Sequence, residues 1–182
     1  MTKSVTGSFY LTETVTLPAG APDGSRASAT LDLSAYVNVP TGQAIAVESV
    51  DFIHQTGTGN TAFFKGMVTG DAALTTQLVD LNPSTTLVRA DNHSLIASSG
   101  LNIDFGNNQG TIGSDLYPDN FGPSALSEAF LVVNDTLYLT GGNDGNSIGV
   151  QNVNISVRVR CRVVKLSTKD WMAIAIQSTA EA

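Results

Sequence analysis

The sequence contains one cysteine, two histidines and no long apolar run. A single cysteine, Cys161, excludes an intrachain disulfide bond. The longest apolar stretches, FLVV and WMAIAI, are far shorter than the roughly 18 residues that a membrane-spanning helix needs. The first residues, MTKSVTGSFYLTETVTLP, lack the apolar segment of a secretory signal. We therefore expect a chain that is made in a cytoplasm and has neither a signal peptide nor a transmembrane segment.

Charged side chains are also scarce. They make up 14% of the sequence, against about 25% in an ordinary soluble domain. Threonine, serine, asparagine and glycine together supply 67 of the 182 residues. The centres of protein interfaces are depleted in lysine, glutamate and aspartate, so this composition predicts that much of the surface contacts other protein. The alternative is a surface that is merely rich in threonine and asparagine, as in many β-proteins.

The few charges are unevenly distributed along the chain. Residues 1–150 carry 14 acidic and 4 basic side chains, a net charge of −10, whereas residues 151–182 carry a net charge of +3. A segregated field of this kind can orient subunits against one another or attract a polyanion. A protein that coats nucleic acid over its whole surface would be basic throughout, so the distribution argues against that class.

Period-two alternation of apolar and polar residues dominates the sequence and predicts an all-β fold. Phe9, Leu11, Val15 and Leu17 are expected on one face of a first strand. Turn-forming residues bound the later candidates. These are the stretch from Ala27 to Leu33 and the segments QAIAVESVDFIHQ, TAFFKGMVT, LTTQLVDL, TTLVRA, SLIAS, LNIDF, EAFLVV and TLYLT. About eight main strands in one domain over residues 1–182 predict an antiparallel two-sheet sandwich, with a closed barrel as the alternative.

Residues 98–127 differ from the rest because glycine, asparagine and proline are frequent there. We expect them to form a long loop, in which LNIDF pairs at most as an edge strand.

The segment QNVNISVRVRCRVV predicts the longest regular strand. Its apolar positions are Val153, Ile155, Val157, Val159, Cys161 and Val163, and its polar positions are Asn154, Ser156, Arg158, Arg160 and Arg162. Cys161 then lies in the core, where a free cysteine behaves as a small hydrophobe. Val164 and Leu166 reverse the phase, which indicates a β-bulge or a passage into a different environment.

The tail STKDWMAIAIQST has two interpretations. Ser167 and Asp170 resemble the capping pair at the start of a helix. In a helix Trp171 and Ile174 would share a face, whereas in a strand Met172 and Ile174 would do so. We favour a short C-terminal helix over a strand, and we expect Trp171 to dock on another surface.

No catalytic signature is present. The sequence has no G-x-S-x-G elbow, no phosphate-binding glycine loop and no cysteine nucleophile placed near a histidine. His54 and His93 are far apart and show no metal-binding spacing, so we expect structural or surface roles for them. The sequence therefore predicts a protein that is not an enzyme and has no catalytic residue, no cofactor, no metal and no small-molecule substrate.

Two acidic loops supply carboxylates that could ligate calcium. They contain Asp115, Asp119 and Asp144. Neither loop has the ligand spacing of a known calcium loop, so the question stays open at this point.

The arginine row, Arg158, Arg160 and Arg162, is the main candidate for an interaction site, with Trp171 as a further interface candidate. Alternate residues of a strand lie about 7 Å apart on one face, so the mutual repulsion of the arginines calls for acidic partners. A guanidinium group binds carboxylate or phosphate bidentately. We expect the row to face carboxylates of a neighbouring subunit, or an anionic genome or internal membrane. The alternatives are arginines that are merely solvated, and a nucleic-acid reader, which would need stacking aromatics nearby.

The strand series, the pair EAFLVV and TLYLT, and the long final strand before a short tail resemble the small single jelly-roll capsid proteins of tailless icosahedral DNA viruses. This resemblance is architectural, spans nearly the whole chain and carries over no functional residue. It implies a jelly roll that assembles with copies of itself, with or without a second capsid protein. It also implies a chain that is made in the host cytoplasm and resides in the virion.

Three other functions fit the sequence. A carbohydrate-binding or lectin-like module is also a sandwich with Asn-rich loops, and Tyr117, Phe121 and Trp171 are its aromatic candidates. A phage tail or decoration protein would share the features of a capsid protein. A β-barrel enzyme would need a carboxylate pair or metal cluster, which is a three-dimensional property.

Overall fold

The computed structural model describes residues 3–113 and 130–179. These residues form two antiparallel sheets and two helices. Sheet 1 contains β1 (Lys3–Ser4), β2 (Phe9–Leu17), β4 (Gln43–Thr56), β8 (Phe130–Val132) and β10 (Val153–Lys165). Sheet 2 contains β3 (Arg26–Asp32), β5 (Ala72–Val79), β6 (Leu95–Asp104), β7 (Gln109–Gly113) and β9 (Thr136–Asp144). The helices are α1 (Phe64–Met67) and α2 (Thr168–Thr179).

The strand order confirms the antiparallel sandwich and its jelly-roll topology. In sheet 1, β10 is central and pairs with β4 on one side and with β1 and β2 on the other, while β8 lies beyond β4. The order in sheet 2 is β3-β9-β5-β6-β7. The chain passes repeatedly from one sheet to the other. Eight strands build the sandwich, and the short strands β1 and β7 are added to it.

The core lies between the sheets and follows the alternation of β10. The side chains of Val153, Ile155, Val157, Val159 and Cys161 are fully buried, as the sequence predicts. On sheet 2, Gly141 lets the two layers approach each other closely. A Cβ atom there would lie 3.1 Å from Val15 Cγ1 and 3.2 Å from Ile155 Cδ1, which is tighter than ordinary van der Waals contact.

Two predicted strands are wrong. TAFFKGMVT contains the short helix α1 instead, and Thr61 and Val68 on either side of it form only isolated bridges. TTLVRA is a loop, because the Gln77 side chain makes the hydrogen bonds that a neighbouring strand would make. Val88 N–H donates to Gln77 Oε1 at 2.7 Å, and Gln77 Nε2 donates to the Val88 carbonyl at 3.0 Å.

The predicted long loop over residues 98–127 is also wrong in its first part. The first four residues of LNIDF belong to β6, which lies between β5 and β7 and is not an edge. A tight turn then leads into β7, and in it Asp104 Oδ1 accepts a hydrogen bond from Asn107 N–H at 3.1 Å. Asn108 takes a φ of 52°, which asparagine tolerates better than most residues. Residues 114–127 lie outside the described part of the chain.

The C-terminal segment forms the favoured helix. Ser167 Oγ accepts a hydrogen bond from Asp170 N–H at 3.2 Å and donates one to Asp170 Oδ2 at 2.7 Å, so the predicted capping pair is confirmed. The helix covers a second apolar cluster on the outer face of sheet 1, formed by Ala44, Ala46, Val133, Val164 and Leu166 with Leu131, Trp171, Ile174 and Ala175. Val164 therefore reverses the alternation of β10 because it enters this second cluster.

Among the described residues, His54 and Asp80 are buried without an ion-pair partner. His54 is 8% exposed, and neither of its ring nitrogens has a hydrogen-bond partner. Burial lowers the pKa of His54 to about 4. Asp80 is 3% exposed, and burial raises the pKa of its carboxyl to about 6. Both groups therefore resist ionisation in the folded state.

These two groups are expected to oppose each other in the pH dependence of stability. The folded-state pKa of Asp80 is raised, so its contribution to the free energy of unfolding is full below pH 4 and is lost as the pH rises through 6. The folded-state pKa of His54 is lowered, so its contribution to the free energy of unfolding is full above pH 6.5 and is lost as the pH falls towards 4. Each effect amounts to up to about 3 kcal/mol.

Urea unfolding between pH 4 and pH 7 measures this opposition. Asp80→Asn should make the free energy of unfolding rise with pH more steeply than in the wild type, and His54→Leu should make it fall with pH relative to the wild type. Parallel profiles for the three proteins would contradict the prediction.

Candidate interaction face

The arginine row lies on the outer face of sheet 1, in the middle of the sheet. Because β10 alternates strictly, its buried valines turn Arg158, Arg160 and Arg162 away from the core. The register places neighbours beside the first two arginines: Arg158 between Thr12 and Asp51, and Arg160 between Tyr10 and Ser49. The sequence prediction of one shared face is confirmed.

Glu48 lies between two of the three arginines. Its Oε2 is 3.1 Å from Arg160 Nε, and its Oε1 is 3.7 Å from Arg162 Nε. Both contacts are ion pairs, and the one to Arg160 is the shorter. Ser8 Oγ donates a further hydrogen bond to Glu48 Oε2 at 2.8 Å. The acidic partner that we expected from another subunit is thus supplied, for Arg160 and Arg162, by the same chain.

A β-bulge brings Glu48 to this position. Arg160 is paired with Ser49 and Cys161 with Val47, so Glu48 has no partner on β10. An extra residue in one strand re-aims side chains locally. Here it gives β4 two successive polar residues between Val47 and Val50, and it places a carboxylate against the arginine row.

Arg158 has a different environment. Its guanidinium carbon lies 5.0 Å from the centre of the Tyr10 ring, which is cation–π distance. Asp51 lies directly opposite Arg158 in the register, yet no ion pair joins the two within the described residues. Arg158, Tyr10 and Asp51 are all exposed. Arg158 is therefore the arginine whose capacity for a carboxylate or phosphate is still available.

Trp171 is partly buried against the chain's own sheet 1, in the cluster beneath α2. Its indole Nε1 has no hydrogen-bond partner. The docking surface expected for Trp171 is thus found within the chain, and a role in contacts between subunits stays a prediction.

The described residues bring no catalytic or metal-binding group together. They contain no cluster of three or more His, Cys, Asp or Glu side chains that could hold a metal ion. Asp144, a calcium candidate, pairs with Arg26 at 2.9 Å, while Asp115 and Asp119 lie outside the described residues.

Cys161 is fully buried, and burial raises the pKa of its thiol to about 12. This environment suits core packing and not nucleophilic chemistry. Within residues 3–113 and 130–179, no helix is both long and apolar enough to cross a membrane.

The fold is similar to solved structures of viral coat proteins. VP1 of Trichodysplasia spinulosa-associated polyomavirus, in complex with GM1 oligosaccharide, matches with a TM-score of 0.51 and 10% identity, over 90% of this chain and 97% of that chain. A second structure of this VP1 matches with a TM-score of 0.50 and 10% identity, over 90% of this chain and 99% of that chain. The chain has the VP1 jelly-roll fold. No family model matches the sequence, and no curated protein matches it.

The sequence reasoning missed Glu48 as a member of the site. The signal was present in the segment AVESV, where two polar residues separate two valines and break the period of two. Such a break within an otherwise alternating strand is the mark of a bulge. The irregularity predicted from the sequence lies instead at Val164, near the end of the partner strand β10.

The Glu48 contacts predict a selective energetic coupling. In a double-mutant cycle, Glu48→Gln and Arg160→Gln should couple by about 0.5–1 kcal/mol in the free energy of urea unfolding, because the two charges form an ion pair at 3.1 Å. Glu48→Gln with Arg158→Gln is the matched control and should couple by less than about 0.3 kcal/mol, since Arg158 contacts Tyr10 instead. Equal coupling in both cycles would show that Glu48 does not discriminate between the arginines.

Proposed function

We propose that this chain is a structural subunit that assembles with copies of itself into a viral capsid. The observation that carries the proposal is the jelly-roll fold, shared with polyomavirus VP1 over 90% of the chain. A rigid two-layer frame holds its faces and loops in fixed positions, and many weak contacts per copy then add up in a closed symmetric shell. The low content of charged residues, 14%, supports extensive contact with other protein. The proposed location is the virion.

Arg158 is the residue that we propose for contacts between copies. Arg160 and Arg162 already share Glu48, whereas Arg158 and the exposed Asp51 each have room for an opposite charge. A second copy offers both charges, as a two-fold interface requires when the same patch serves both partners. Contact with a genome or an internal membrane through this face would rest mainly on Arg158.

Assembly is tested by light scattering after size-exclusion chromatography and by electron microscopy of the purified protein. The wild type should form oligomers or particles. Arg158→Glu should raise the protein concentration needed for assembly at least tenfold, because it places a like charge near Asp51. The circular dichroism spectrum should stay unchanged.

Arg89→Glu is the matched control, since Arg89 is 89% exposed in its side chain and, among the described residues, pairs with Asp91. It makes the same change of charge away from the arginine row and should assemble normally. A wild type that stays monomeric at high concentration would overturn the capsid proposal. Electron microscopy also distinguishes a shell from a tail-like or decoration assembly.

A carbohydrate-binding module is the second candidate, and a cleft of about 410 Å³ at the end of β10 favours it. The cleft is lined by Ala19, Gly57, Thr58, Asn60, Val150, Gln151, Asn152 and Asn154. The side-chain oxygens of Asn152 and Asn154 accept hydrogen bonds from Ala19 N–H and Thr16 Oγ1, which leaves their amide N–H groups as donors for hydroxyl groups. One VP1 neighbour is in complex with GM1 oligosaccharide.

A glycan array tests this second candidate. Binding in the cleft predicts a signal that Gln151→Ala lowers at least tenfold, because this amide lines the cleft. Asn102→Ala, which removes an exposed amide on β6 in sheet 2, should leave the signal unchanged. An array without any specific signal would remove the candidate.

A further inference from the structure

A second cavity, of about 460 Å³, lies beside the C-terminal helix and is open to solvent. The last turns of α2, strand β8 and the segment before β6 surround it. Its lining residues are Asp80, Ala90, Asp91, Asn92, His93, Leu95, Phe130, Leu131, Ile174, Gln177 and Ser178. No predicted site residue lines it.

Asp80 is held rigidly at this cavity. Its backbone carbonyl accepts a hydrogen bond from Asn134 Nδ2 at 2.9 Å, and the same amide nitrogen donates to Ser178 Oγ at 3.0 Å. Ser178 Oγ in turn lies 3.4 Å from Asp80 Oδ2. The other carboxyl oxygen, Oδ1, is buried and has no hydrogen-bond partner. Asp80 is thus 97% buried, fixed in place and half unsatisfied.

No positively charged side chain forms an ion pair with Asp80 among the described residues. No lysine or arginine is among the described residues that line the cavity. Asp91, the second acidic residue, is engaged with Arg89 at 3.2 Å. The imidazole of His93 faces Gln177 Nε2 at 3.0 Å. At neutral pH the Asp80 carboxyl, whose pKa burial raises to about 6, is ionised without a counter-ion.

The remaining walls are of two kinds. Leu95, Phe130, Leu131 and Ile174 form an apolar side, and Asn92 and Gln177 contribute amides. An apolar wall next to an unpaired carboxylate suits a molecule with a hydrocarbon stem and a cationic head.

We propose that this cavity binds an organic cation, a primary ammonium or guanidinium group on a short apolar stem, with its head at the Asp80 carboxylate and its stem against Leu131 and Ile174. Two sources can supply this chemistry. One is a free alkyl amine, and the other is a lysine or arginine side chain of a second copy of the chain. The site is independent of the arginine row, so it stands whether or not the proposed assembly occurs there.

Calorimetric titration of the full chain with 1,5-diaminopentane at pH 7.5 tests the site. The diamine should bind saturably at one site per chain. Pentane-1,5-diol, which has the same length without charge, should show no saturable binding. Asp80→Asn should weaken diamine binding at least tenfold, whereas Asp51→Asn, the same change of charge at a residue that does not line the cavity, should not.

The pH dependence provides a measurement that needs no variant. Affinity for the diamine should fall as the pH is lowered through about 6, because protonation of Asp80 removes the anion. If Asp80→Asn does not fold, the diol control and this pH profile still show whether binding depends on the ligand's positive charge and on an ionised Asp80.

Sedimentation velocity with and without the diamine distinguishes the two sources. If the natural cation is a side chain of another copy, the diamine should dissociate wild-type oligomers, and Asp80→Asn should assemble poorly. If it is a free amine, saturable binding should leave the oligomeric state unchanged. The absence of saturable diamine binding, or binding that neither Asp80→Asn nor low pH weakens, would overturn the proposal.

Discussion

The strict alternation of β10 is the constraint on which the rest of the structure depends. This strand is central in sheet 1 and pairs with β2 on one side and β4 on the other. Its valines fill the core between the sheets, so its arginines must face outwards. A slip of one residue would bury three guanidinium groups. Core packing alone therefore fixes the position of the proposed interaction face on the outside of sheet 1.

The outer face of sheet 1 is divided into three regions by what covers each of them. At one end α2 covers Val164 and its apolar neighbours. In the middle, Glu48 forms ion pairs with Arg160 and Arg162. Arg158 contacts the Tyr10 ring instead, and no described carboxylate pairs with it. The row that is uniform in the sequence is thus divided into a structural pair and one candidate for contact with a partner.

The two buried ionisable groups, His54 and Asp80, lie in different surroundings. His54 lies in the interior without a hydrogen bond and is held neutral by burial. Asp80 is also buried, but it borders an open cavity with an apolar wall. A buried carboxylate with one oxygen that no described residue hydrogen-bonds is costly. Its position beside the apolar wall of this cavity is what points to a cationic ligand.

Local periodicity and capping chemistry predicted the all-β class, the faces of the strands, the buried position of Cys161 and the favoured C-terminal helix. The same local patterns misassigned TAFFKGMVT, TTLVRA and the hairpin after LNIDF, where distant groups such as the Gln77 amide provide the backbone partners. The contact of Glu48 with the arginine row and the place of Asp80 beside a cavity became visible only in the folded chain. Such pairings join residues that are far apart in the chain, and no local pattern encodes them.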